Sequence, residues 1–569
     1  QKLLSFTDNR QDASLQAGHY NDFLSTVRLR AAISVALKNN PAGLDVNTIA
    51  ERVFNVLKLE ETAYAKDPST NPRFADEDNV KALKLYILYR IFQDLKKGWR
   101  YTLPNLEQTA LMRIEYKNLK KLCSYDDEFK DIPYFNELSA EKREDILSQL
   151  LHFFRTNFSI YHRSIVEDKA ETENILKNKL DEKKLWSLDP NETPDAPTYM
   201  VSVVPGRSIQ KRIYFASIGL RSGIGKYIKR TLSDEGFPAL KQDEYREIIE
   251  MLCDKLANDA KILQKRTDLR GSNGIVDGYL LKSDFIIWLP GDEETVEIDK
   301  TRLNTYKDVK LLPNLYFQNL YKTDFSQYSK EIIGREHTGQ LSSADRIERE
   351  GAFRSGDIST LFCSPTMELG IDIANLNIVH MRNVPPNPAN YAQRSGRAGR
   401  SGQTAVVFTY CSAMSPHDQN YFKAAHTMVA GSVVAPRIDL KNEELLTSHF
   451  NAYILMELAI RELNSSVADM LDLTNEANIR VREDIIDSIE NGLSHYKQQW
   501  VANFKEVAGS IIPDLNTTWW YTDEWFEKKI NSFIPRFRKA FDRWIKLYLS
   551  ALNMMNKAHI ILKDPTLKS

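Results

Sequence analysis

Residues 359–410 have the sequence STLFCSPTMELGIDIANLNIVHMRNVPPNPANYAQRSGRAGRSGQTAVVFTY. Three apolar runs within it, STLFCS, LNIVHMR and TAVVFTY, have the length and composition of short buried strands. Between the last two runs, Asn387 is a suitable helix N-cap and Pro388 a suitable first helical residue. Strands that alternate with helices in this way predict a parallel sheet with helices on both faces.

The same alternation occurs on the amino-terminal side. KEIIGREHTG predicts a strand and a loop, and SSADRIEREGAFRSG predicts the helix that follows. The chain also begins with a strand-like run, KLLSF, and a helical run, NRQDASLQAGHYNDF. We therefore predict one α/β domain built from residues 1–20 and 325–440, which a large insertion splits after its first strand and helix.

The insertion is predicted to be mainly helical. In residues 21–190, apolar side chains recur at spacings of three and four, as on one face of a helix. Residues 207–324 differ, because the helical run EYREIIEMLCDKLANDAKI precedes two short strands in GYLLKSDFIIWLPGD, an order that resembles a winged-helix module. Residues 441–569 are predicted to be helical, and their aromatic stripe from Phe533 to Tyr548 favours a core or docking face over a base-stacking platform.

The composition is that of a globular protein with several domains. With 569 residues, the chain is too long for one hydrophobic core. Its 76 basic and 77 acidic residues leave a net charge of −1, which neither indicates nor excludes nucleic-acid binding. The sequence has no run of 18 apolar residues, so we expect no membrane span. Its four cysteines are not spaced as a zinc site or a disulfide framework, so we expect no metal centre and a reducing, cytoplasmic compartment.

The run QRSGRAGR concentrates guanidinium groups among glycines. If the helix continues through Arg397, Gln393 and Arg397 lie one turn apart on one face, with Arg400 beyond them. Gly396 and Gly399 remove side-chain bulk, which allows a ligand to approach the backbone. Arginine presents a charged planar fork that matches phosphate oxygens, so the two arginines suit the charge that develops on a transferred γ-phosphoryl group. The alternative is a solvated basic helix end, which the helix dipole favours.

A second polar run, TMELGID, precedes the strand LNIVHMR. Asp372 falls between two strands, at the edge where ligands bind in open α/β sheets, and its carboxylate could order an arginine or a ribose hydroxyl. Gly370 permits a tight turn, and Thr366 offers a hydroxyl and an amide to a phosphate, including one of a nucleic-acid backbone. Each of these residues, taken alone, also fits an ordinary turn at the end of a strand.

These runs resemble the motifs of superfamily-two helicases. TMELGID is similar to motif V and QRSGRAGR to motif VI, while LLSFTDNRQDA, near the start of the chain, is similar to motif IV with its strand and helix. The resemblance implies that the α/β domain is the second RecA-like domain of a helicase. It also implies that ATP and Mg²⁺ bind between this domain and a first RecA-like domain.

The same resemblance assigns roles to individual residues. Arg397 and Arg400 would be the catalytic arginines that reach ATP held by the first domain. The residues that the resemblance places at the nucleotide are Gly370, Asp372, Gln393 and Gly396. The residues that it places near the nucleic-acid strand are Thr366, His337, Thr338 and Arg394.

A narrower resemblance involves the insertion and the carboxyl-terminal region. RYTLPNLEQTALMRIEY, GYLLKSDFIIWLPGD and SPHDQNYF are similar to segments of bacterial helicases with a large insert. These include the helicase-like subunit of the DISARM anti-phage defence system and, more distantly, the mitomycin-repair helicases. The resemblance implies a DNA substrate with a single-stranded portion, a defence-system partner subunit and a role in anti-phage defence. A non-hydrolysing nucleic-acid scaffold and an RNA helicase are the alternatives.

A motor of this class also needs a phosphate-binding loop, G-x-x-x-x-G-K-[ST], and a carboxylate pair for Mg²⁺, and the sequence contains neither. The nearest approach, GLRSGIGKY at residues 219–227, has a misplaced glycine and a Tyr where Ser or Thr would bind Mg²⁺, so we expect a turn before a helix there. The first residues, QKLLSFTDNR, begin inside a predicted core strand. We therefore expect the first RecA-like domain to precede Gln1, and we expect the chain alone to be inactive as an ATPase.

Two weaker candidates come from charged residues. The basic run from Arg212 to Arg230 interleaves aromatic residues with cations and could contact a nucleic-acid backbone or form a solvated face. His417 and Asp418 could suggest a metal or acid–base pair, but a helix beginning there, with Asp418 in its first turn, is favoured.

Overall fold

The computed structural model describes residues 2–69, 76–100, 102–302, 311–327, 332–365, 376–399, 402–432 and 440–563. The chain forms two compact units, Gln1–Val433 and Val434–Ser569. Among the described residues, no helix combines the length and the apolar character that a membrane span requires.

The strands are β1 (Leu3–Phe6), β2 (Met112–Tyr116), β3 (Ile160–Tyr161), β4 (Thr198–Val201), β5 (Tyr214–Ser217), β6 (Leu263–Gly271), β7 (Gly274–Lys282), β8 (Ile286–Pro290), β9 (Gly334–His337), β10 (Thr360–Cys363), β11 (Ile378–Met381), β12 (Val406–Thr409), β13 (Leu471–Asp472) and β14 (Arg480–Val481). The helices are α1 (Arg10–Lys38), α2 (Val46–Leu57), α3 (Glu77–Asp94), α4 (Leu119–Cys123), α5 (Ala140–Thr156), α6 (Arg163–Val166), α7 (Lys169–Lys179), α8 (Gly223–Asp234), α9 (Gln242–Asn258), α10 (Leu315–Tyr321), α11 (Ser343–Ser355), α12 (Pro388–Ser395), α13 (Pro416–Lys423), α14 (Ala425–Val429), α15 (Glu443–Leu458), α16 (Glu483–Val507), α17 (Ile512–Leu515), α18 (Trp525–Asn531), α19 (Phe533–Ala540) and α20 (Asp542–Lys563).

A five-stranded parallel sheet lies in the first unit, in the order β12-β11-β1-β10-β9. β1, from the beginning of the chain, lies between β10 and β11, with Leu3 opposite Thr360 on one side and Ile378 on the other. Leu4 and Phe6 are at most 1% exposed, as expected for a strand with neighbours on both sides. The parallel sheet predicted from residues 1–20 and 325–440 is confirmed. We call this sheet, with the first half of α1 and helices α11 to α14, the α/β core.

Helix α1 connects the α/β core to the insertion without a break. Its N-cap is Asn9, whose Oδ1 accepts a hydrogen bond from the backbone N–H of Asp12 (2.8 Å). Its first turns pack on the sheet, where the rings of Tyr20 and Phe362 meet edge-on with centroids 5.6 Å apart. The helix then continues to Lys38 inside the core of the insertion. The boundary predicted at residue 20 therefore falls within one continuous helix.

A buried arginine fixes α1 within the insertion. The Arg30 guanidinium donates to Asp94 on α3 (2.9 and 2.6 Å), to the carbonyls of Leu103 and Pro104 (3.0 and 3.1 Å), and to the hydroxyl of Tyr321 on α10 (2.9 Å). Arg30 is 0% exposed and Asp94 4%. A buried charge is tolerated when it is paired and hydrogen-bonded, so this network holds four segments of the insertion in one arrangement.

The winged-helix-like order predicted in residues 207–324 is not confirmed. Helix α9 is followed by the antiparallel hairpin β6–β7, but the two strands expected in GYLLKSDFIIWLPGD belong to different sheets. β7 pairs with β6, β4 and β3, whereas β8 pairs with β2, with Tyr116 opposite Ile286. The stretch that was expected to form one small module therefore joins two sheets of the insertion.

The run GLRSGIGKY forms a turn and the start of α8, as predicted. Ser222 is the N-cap, and its Oγ accepts a hydrogen bond from the backbone N–H of Gly225 (3.0 Å). A Cβ at Gly225 would lie under 3.0 Å from the carbonyl oxygen of Gly219, so the turn needs glycine there for packing. The Tyr227 hydroxyl donates to Asp145 (2.6 Å). These glycines therefore serve the close packing of a turn.

The second unit is helical, as predicted, with a small antiparallel pair, β13 and β14. Its core is aromatic, and Phe450 packs edge-on against Phe504 and Phe526 with centroids 5.0 and 5.1 Å apart. From the predicted stripe, Phe533 and Phe537 are buried in this core at 3% and 8% exposure. The core interpretation is therefore confirmed for these two residues.

Candidate nucleotide-binding site

The carboxyl ends of three parallel strands meet at one edge of the α/β core. Phe6, at the end of β1, is level with Cys363 of β10 and Met381 of β11. The Thr7 hydroxyl donates to the carbonyl of Cys363 (3.3 Å), and the backbone N–H of Arg382 donates to the carbonyl of Phe6 (2.8 Å). In open α/β sheets, ligands bind at this edge.

Helix α12 follows β11 and contains the first residues of the run QRSGRAGR. Asn387 is its N-cap, accepting from the backbone N–H of Asn390 (3.0 Å), and Pro388 is its first residue, so both predictions are confirmed. The helix ends at Ser395, however, and the backbone N–H of Arg397 reaches the carbonyl three residues earlier (3.3 Å) in a tighter turn. The supposition that the helix continues through Arg397 is therefore wrong.

Arg397 is half-buried in the turn that follows α12. Burial raises the pKa of the Cys363 thiol, and the positive charge of Arg397 opposes that shift. Two residues later, Gly399 has φ +72° and its N–H donates to the carbonyl of Leu376 (3.2 Å). The Gln403 side chain donates to the same carbonyl (3.0 Å), so the residues after Arg397 are held against the segment that precedes β11.

Four of the predicted site residues lie outside the described residues: Thr366, Gly370, Asp372 and Arg400. Their assignments stay predictions. Of the other residues assigned to the nucleotide, Gln393 and Gly396 are exposed, and Gly396 forms the C-cap of α12. Both are accessible to a ligand at the end of this helix.

Arg394 takes a different position from Arg397. It is 2% exposed, and its guanidinium lies 5.4 Å from the centre of the Phe6 ring. A cation over an aromatic ring in a desolvated place is a favourable contact, so Arg394 anchors α12 to β1. Its guanidinium is turned to the sheet rather than to solvent. The predicted contact of Arg394 with nucleic acid would require the side chain to move, and it stays a prediction.

His337 and Thr338, which the sequence placed near nucleic acid, are enclosed at the end of β9. They are 0% and 2% exposed. The Nε2 atom of His337 lies 3.3 Å from Oε1 of Glu350 on α11. Burial lowers the pKa of His337, and the Glu350 carboxylate opposes the shift. In this structure the two side chains support the end of the strand, and contact with nucleic acid through them stays a prediction.

Sequence reasoning missed several groups at the carboxyl edge. The Arg382 guanidinium lies 5.0 Å from the centre of the Tyr410 ring, and Asn383 donates from its side chain to the carboxylate of Asp8. These residues connect the ends of β11, β12 and β1. The run HMRNVPP has no motif spacing, so only the topology of the sheet reveals their proximity.

Asp418 behaves as the helix-start interpretation predicts. It is 4% exposed and accepts from the backbone N–H of Ser412 and the hydroxyl of Ser415, both at 2.9 Å. Although burial opposes the shift, these hydrogen bonds hold the pKa of Asp418 below its usual value. The carboxylate thus organises the loop between β12 and α13. In the described part of the chain, no group of three or more His, Cys, Asp or Glu side chains could hold a metal ion.

Residues 309–402 match the helicase conserved C-terminal domain. The chain is also 29% identical over 226 residues to Druantia protein DruE from Escherichia coli (strain UMEA 4076-1). That match takes in 35% of this chain and 12% of the relative, so the chain spans only a small part of the length of this protein. The α/β core therefore contains a region similar to the C-terminal domain of helicases, and the curated relative belongs to Druantia rather than to DISARM.

Several solved helicase structures also match parts of the chain. The DUF1998 helicase MrfA bound to DNA is 28% identical, with 24% of this chain and 19% of that one covered and a TM-score of 0.19. Helicase Lhr of Mycobacterium smegmatis, bound to ssDNA and AMP-PNP, is 25% identical, with 22% and 16% covered and a TM-score of 0.18. TM-scores this low do not establish a shared overall fold.

Proposed function

We propose that this chain provides the second motor lobe of an ATP-dependent, superfamily-two translocase or helicase that acts on DNA. ATP and Mg²⁺ would bind between its α/β core and a first RecA-like domain of the same protein. The observation that carries the proposal is the position of Arg397. It is half-buried in the turn after α12, which a hydrogen bond between Gly399 and Leu376 joins to the segment before β11, in a region that matches the helicase conserved C-terminal domain.

Arg397 would act on the charge that develops on the γ-phosphoryl group. A partly enclosed guanidinium stabilises developing negative charge more strongly than one in water. An arginine in this role raises the rate of phosphoryl transfer by about 10³–10⁵-fold. The cation–π contact between Arg394 and Phe6 holds α12 on β1, so the loop that presents Arg397 is fixed to the centre of the sheet. Mg²⁺, when bound, neutralises charge on the β- and γ-phosphates. We propose that its protein ligands come from the first RecA-like domain, as the motif resemblance implies.

A substitution of Arg397 tests the motor function directly. In the full-length protein with its first RecA-like domain, Arg397→Ala should lower DNA-stimulated ATP hydrolysis by at least about 10³-fold and leave the Kd for DNA within about twofold. The matched control is Arg354→Ala on α11, an exposed arginine of the same α/β core, which should keep wild-type turnover. Unchanged hydrolysis in Arg397→Ala would refute the proposed role of the arginine.

The proposal has three more specific parts: the nucleic acid is DNA, the protein acts in anti-phage defence, and it works with a partner subunit. The motif resemblance to bacterial DNA helicases supports DNA as the substrate, and the similarity to Druantia protein DruE supports the defence role. The partner subunit is proposed from the motif resemblance alone. ATP hydrolysis measured with single-stranded DNA and with RNA of the same sequence, at one salt concentration, distinguishes the two nucleic acids. Stimulation by RNA alone would support an RNA helicase, and no hydrolysis with either would support the scaffold alternative.

A further inference from the structure

One protrusion of the insertion is built from two separate segments. The turn of the β6–β7 hairpin carries Arg270 and Ile275, which are directly opposite each other in the register of the two strands. Residues 205–210 lie along the other side of β6, where Ser208 bridges to Gly271 and the backbone N–H of Ile209 donates to the carbonyl of Arg270 (3.3 Å). The end of the hairpin is therefore a three-stranded surface.

The alternation of side chains gives this surface two different faces. Leu269, one residue before Arg270, is 0% exposed and packs with Tyr199 and Leu280 in a small core. Neighbours in adjacent strands that lie directly opposite each other point to the same side. Ile209, Arg270 and Ile275 therefore form one row on the opposite, outer side, which we call the outer row.

The outer row is strongly exposed although two of its three members are aliphatic. Ile209 is 67% exposed and Ile275 63%. On a sheet with one buried face, the outward positions are normally polar, so a solvent-facing isoleucine pair beside an arginine is unusual. Singly exposed apolar side chains are common, so the two isoleucines are informative only together with the charges around them.

Positive charge surrounds the outer row. Arg207 and Lys211, two residues to either side of Ile209, are exposed, as is Arg270. Within the described part of the chain, none of these three cations forms an ion pair. Arg207 and Lys211 therefore present cations beside the two isoleucines, together with Arg270, whose charge also helps to lower the pKa of Asp268. This excess of positive charge around aliphatic side chains favours a polyanion with apolar parts.

Backbone hydrogen bonds make the protrusion rigid. The N–H of Ser272 donates to the carbonyl of Arg207, and the N–H of Asn273 to the carbonyl of Pro205, both at 2.9 Å. A Cβ at Gly271 would lie under 3.0 Å from the carbonyl oxygen of Pro205, so the two segments are in close contact. A rigid surface loses little conformational entropy on binding.

We propose that the outer row and its flanking cations contact a nucleic-acid junction, with the isoleucines against the bases at the end of a duplex and the cations against its phosphates. This inference rests on the proposed function and identifies the part of the insertion that meets the substrate. Aliphatic side chains serve nucleic-acid-binding proteins as wedges at base steps, whereas single-stranded binding relies on aromatic stacking. The flanking cations supply the phosphate contacts that such a wedge needs.

Two variants of the chain separate the two parts of the contact. In R207Q/K211Q/R270Q, loss of three phosphate contacts should reduce the slope of log K against log salt for duplex DNA by about 2.7. In I209S/I275S, the salt slope should be unchanged, but affinity for a forked duplex should fall on the order of tenfold while affinity for single-stranded DNA is kept. All substituted side chains are exposed, so thermal unfolding should match the wild type.

The control is K117Q/K120Q/K121Q, which removes the same charge from three exposed lysines elsewhere on the insertion. Fluorescence anisotropy with labelled forked, duplex and single-stranded DNA measures all the proteins. The inference is overturned if the control lowers the slope as much as R207Q/K211Q/R270Q does. It is also overturned if both outer-row variants bind every DNA as the wild type does, a result that would favour an acidic protein partner for this surface.

These results are distinguishable from a failure of the proposed function. If both outer-row variants bind DNA as the wild type does, the present inference is refuted and the Arg397 test is unaffected. Failure of the unaltered chain to bind any DNA refutes the inference too. Unchanged ATP hydrolysis in Arg397→Ala, together with lost fork affinity in I209S/I275S, refutes the motor role and keeps the junction contact.

Discussion

Replacing Arg30 with Met should destabilise the first unit strongly. The substitution removes five hydrogen bonds that Arg30 donates, two of them to the carboxylate of Asp94. Asp94 is 4% exposed, so its charge would be left buried without a partner. Breaking a buried ion pair from one side costs about 3–5 kcal/mol, and we expect a loss of that size in the free energy of unfolding of this unit.

Urea unfolding followed by tryptophan fluorescence measures the effect. The ring of Trp99 lies 5.8 Å from the Arg30 guanidinium and reports on this region, while the second unit, which contains neither Arg30 nor Asp94, provides an internal reference. The control is R30M/D94L, which removes both charges and should recover more than half of the loss, because replacing a buried pair with apolar side chains is often close to neutral. A loss below about 1 kcal/mol in R30M, or a double variant no more stable than R30M, would refute the reasoning.

Two further predictions concern the first unit. Gly225→Ala should destabilise it by about 1–3 kcal/mol, because a Cβ there would meet a backbone carbonyl. Gly351→Ala on α11, where a Cβ would have nothing within 4 Å, should stabilise it by about 0.5–1 kcal/mol. Thermal or urea unfolding measures both changes. Burial lowers the pKa of His152 far below its usual value, so the unfolded chain binds a proton that the folded chain does not, and stability should fall as the pH drops below about 6.5. His152→Gln should make urea unfolding between pH 7 and 5 less dependent on pH; an unchanged dependence would show that other groups cause it.

Periodicity and helix-start signals in the sequence were sufficient for the α/β core. The runs that form β1, β10, β11 and β12 are short and apolar, and Asn387 with Pro388 marks the start of α12 without reference to the rest of the fold. The split of the sheet was also predictable, because both parts have strands followed by helices. These features depend on local chemistry, which a single sequence contains.

Features that depend on distant neighbours were not predictable. Arg394 and Arg397 are equivalent in the run QRSGRAGR, and only the position of Phe6 beneath α12 decides that Arg394 is buried. The helix stops at Ser395, and four residues later the N–H of Gly399 donates to the carbonyl of Leu376, a distant neighbour that the run itself does not reveal. Likewise, no local pattern shows that β8 pairs with β2 rather than with β7, since strands of similar composition can join either sheet.

Helix α1 has a mechanical consequence. It has 29 residues, so at 1.5 Å per residue it is about 43 Å long. Its first turns pack against Phe362 of β10, and Arg30, two turns before its end, is held by the buried hydrogen-bond network. A tilt of about 5° at the sheet would displace the far end of such a lever by roughly 4 Å, a distance comparable to the rise of one nucleotide along a strand of DNA.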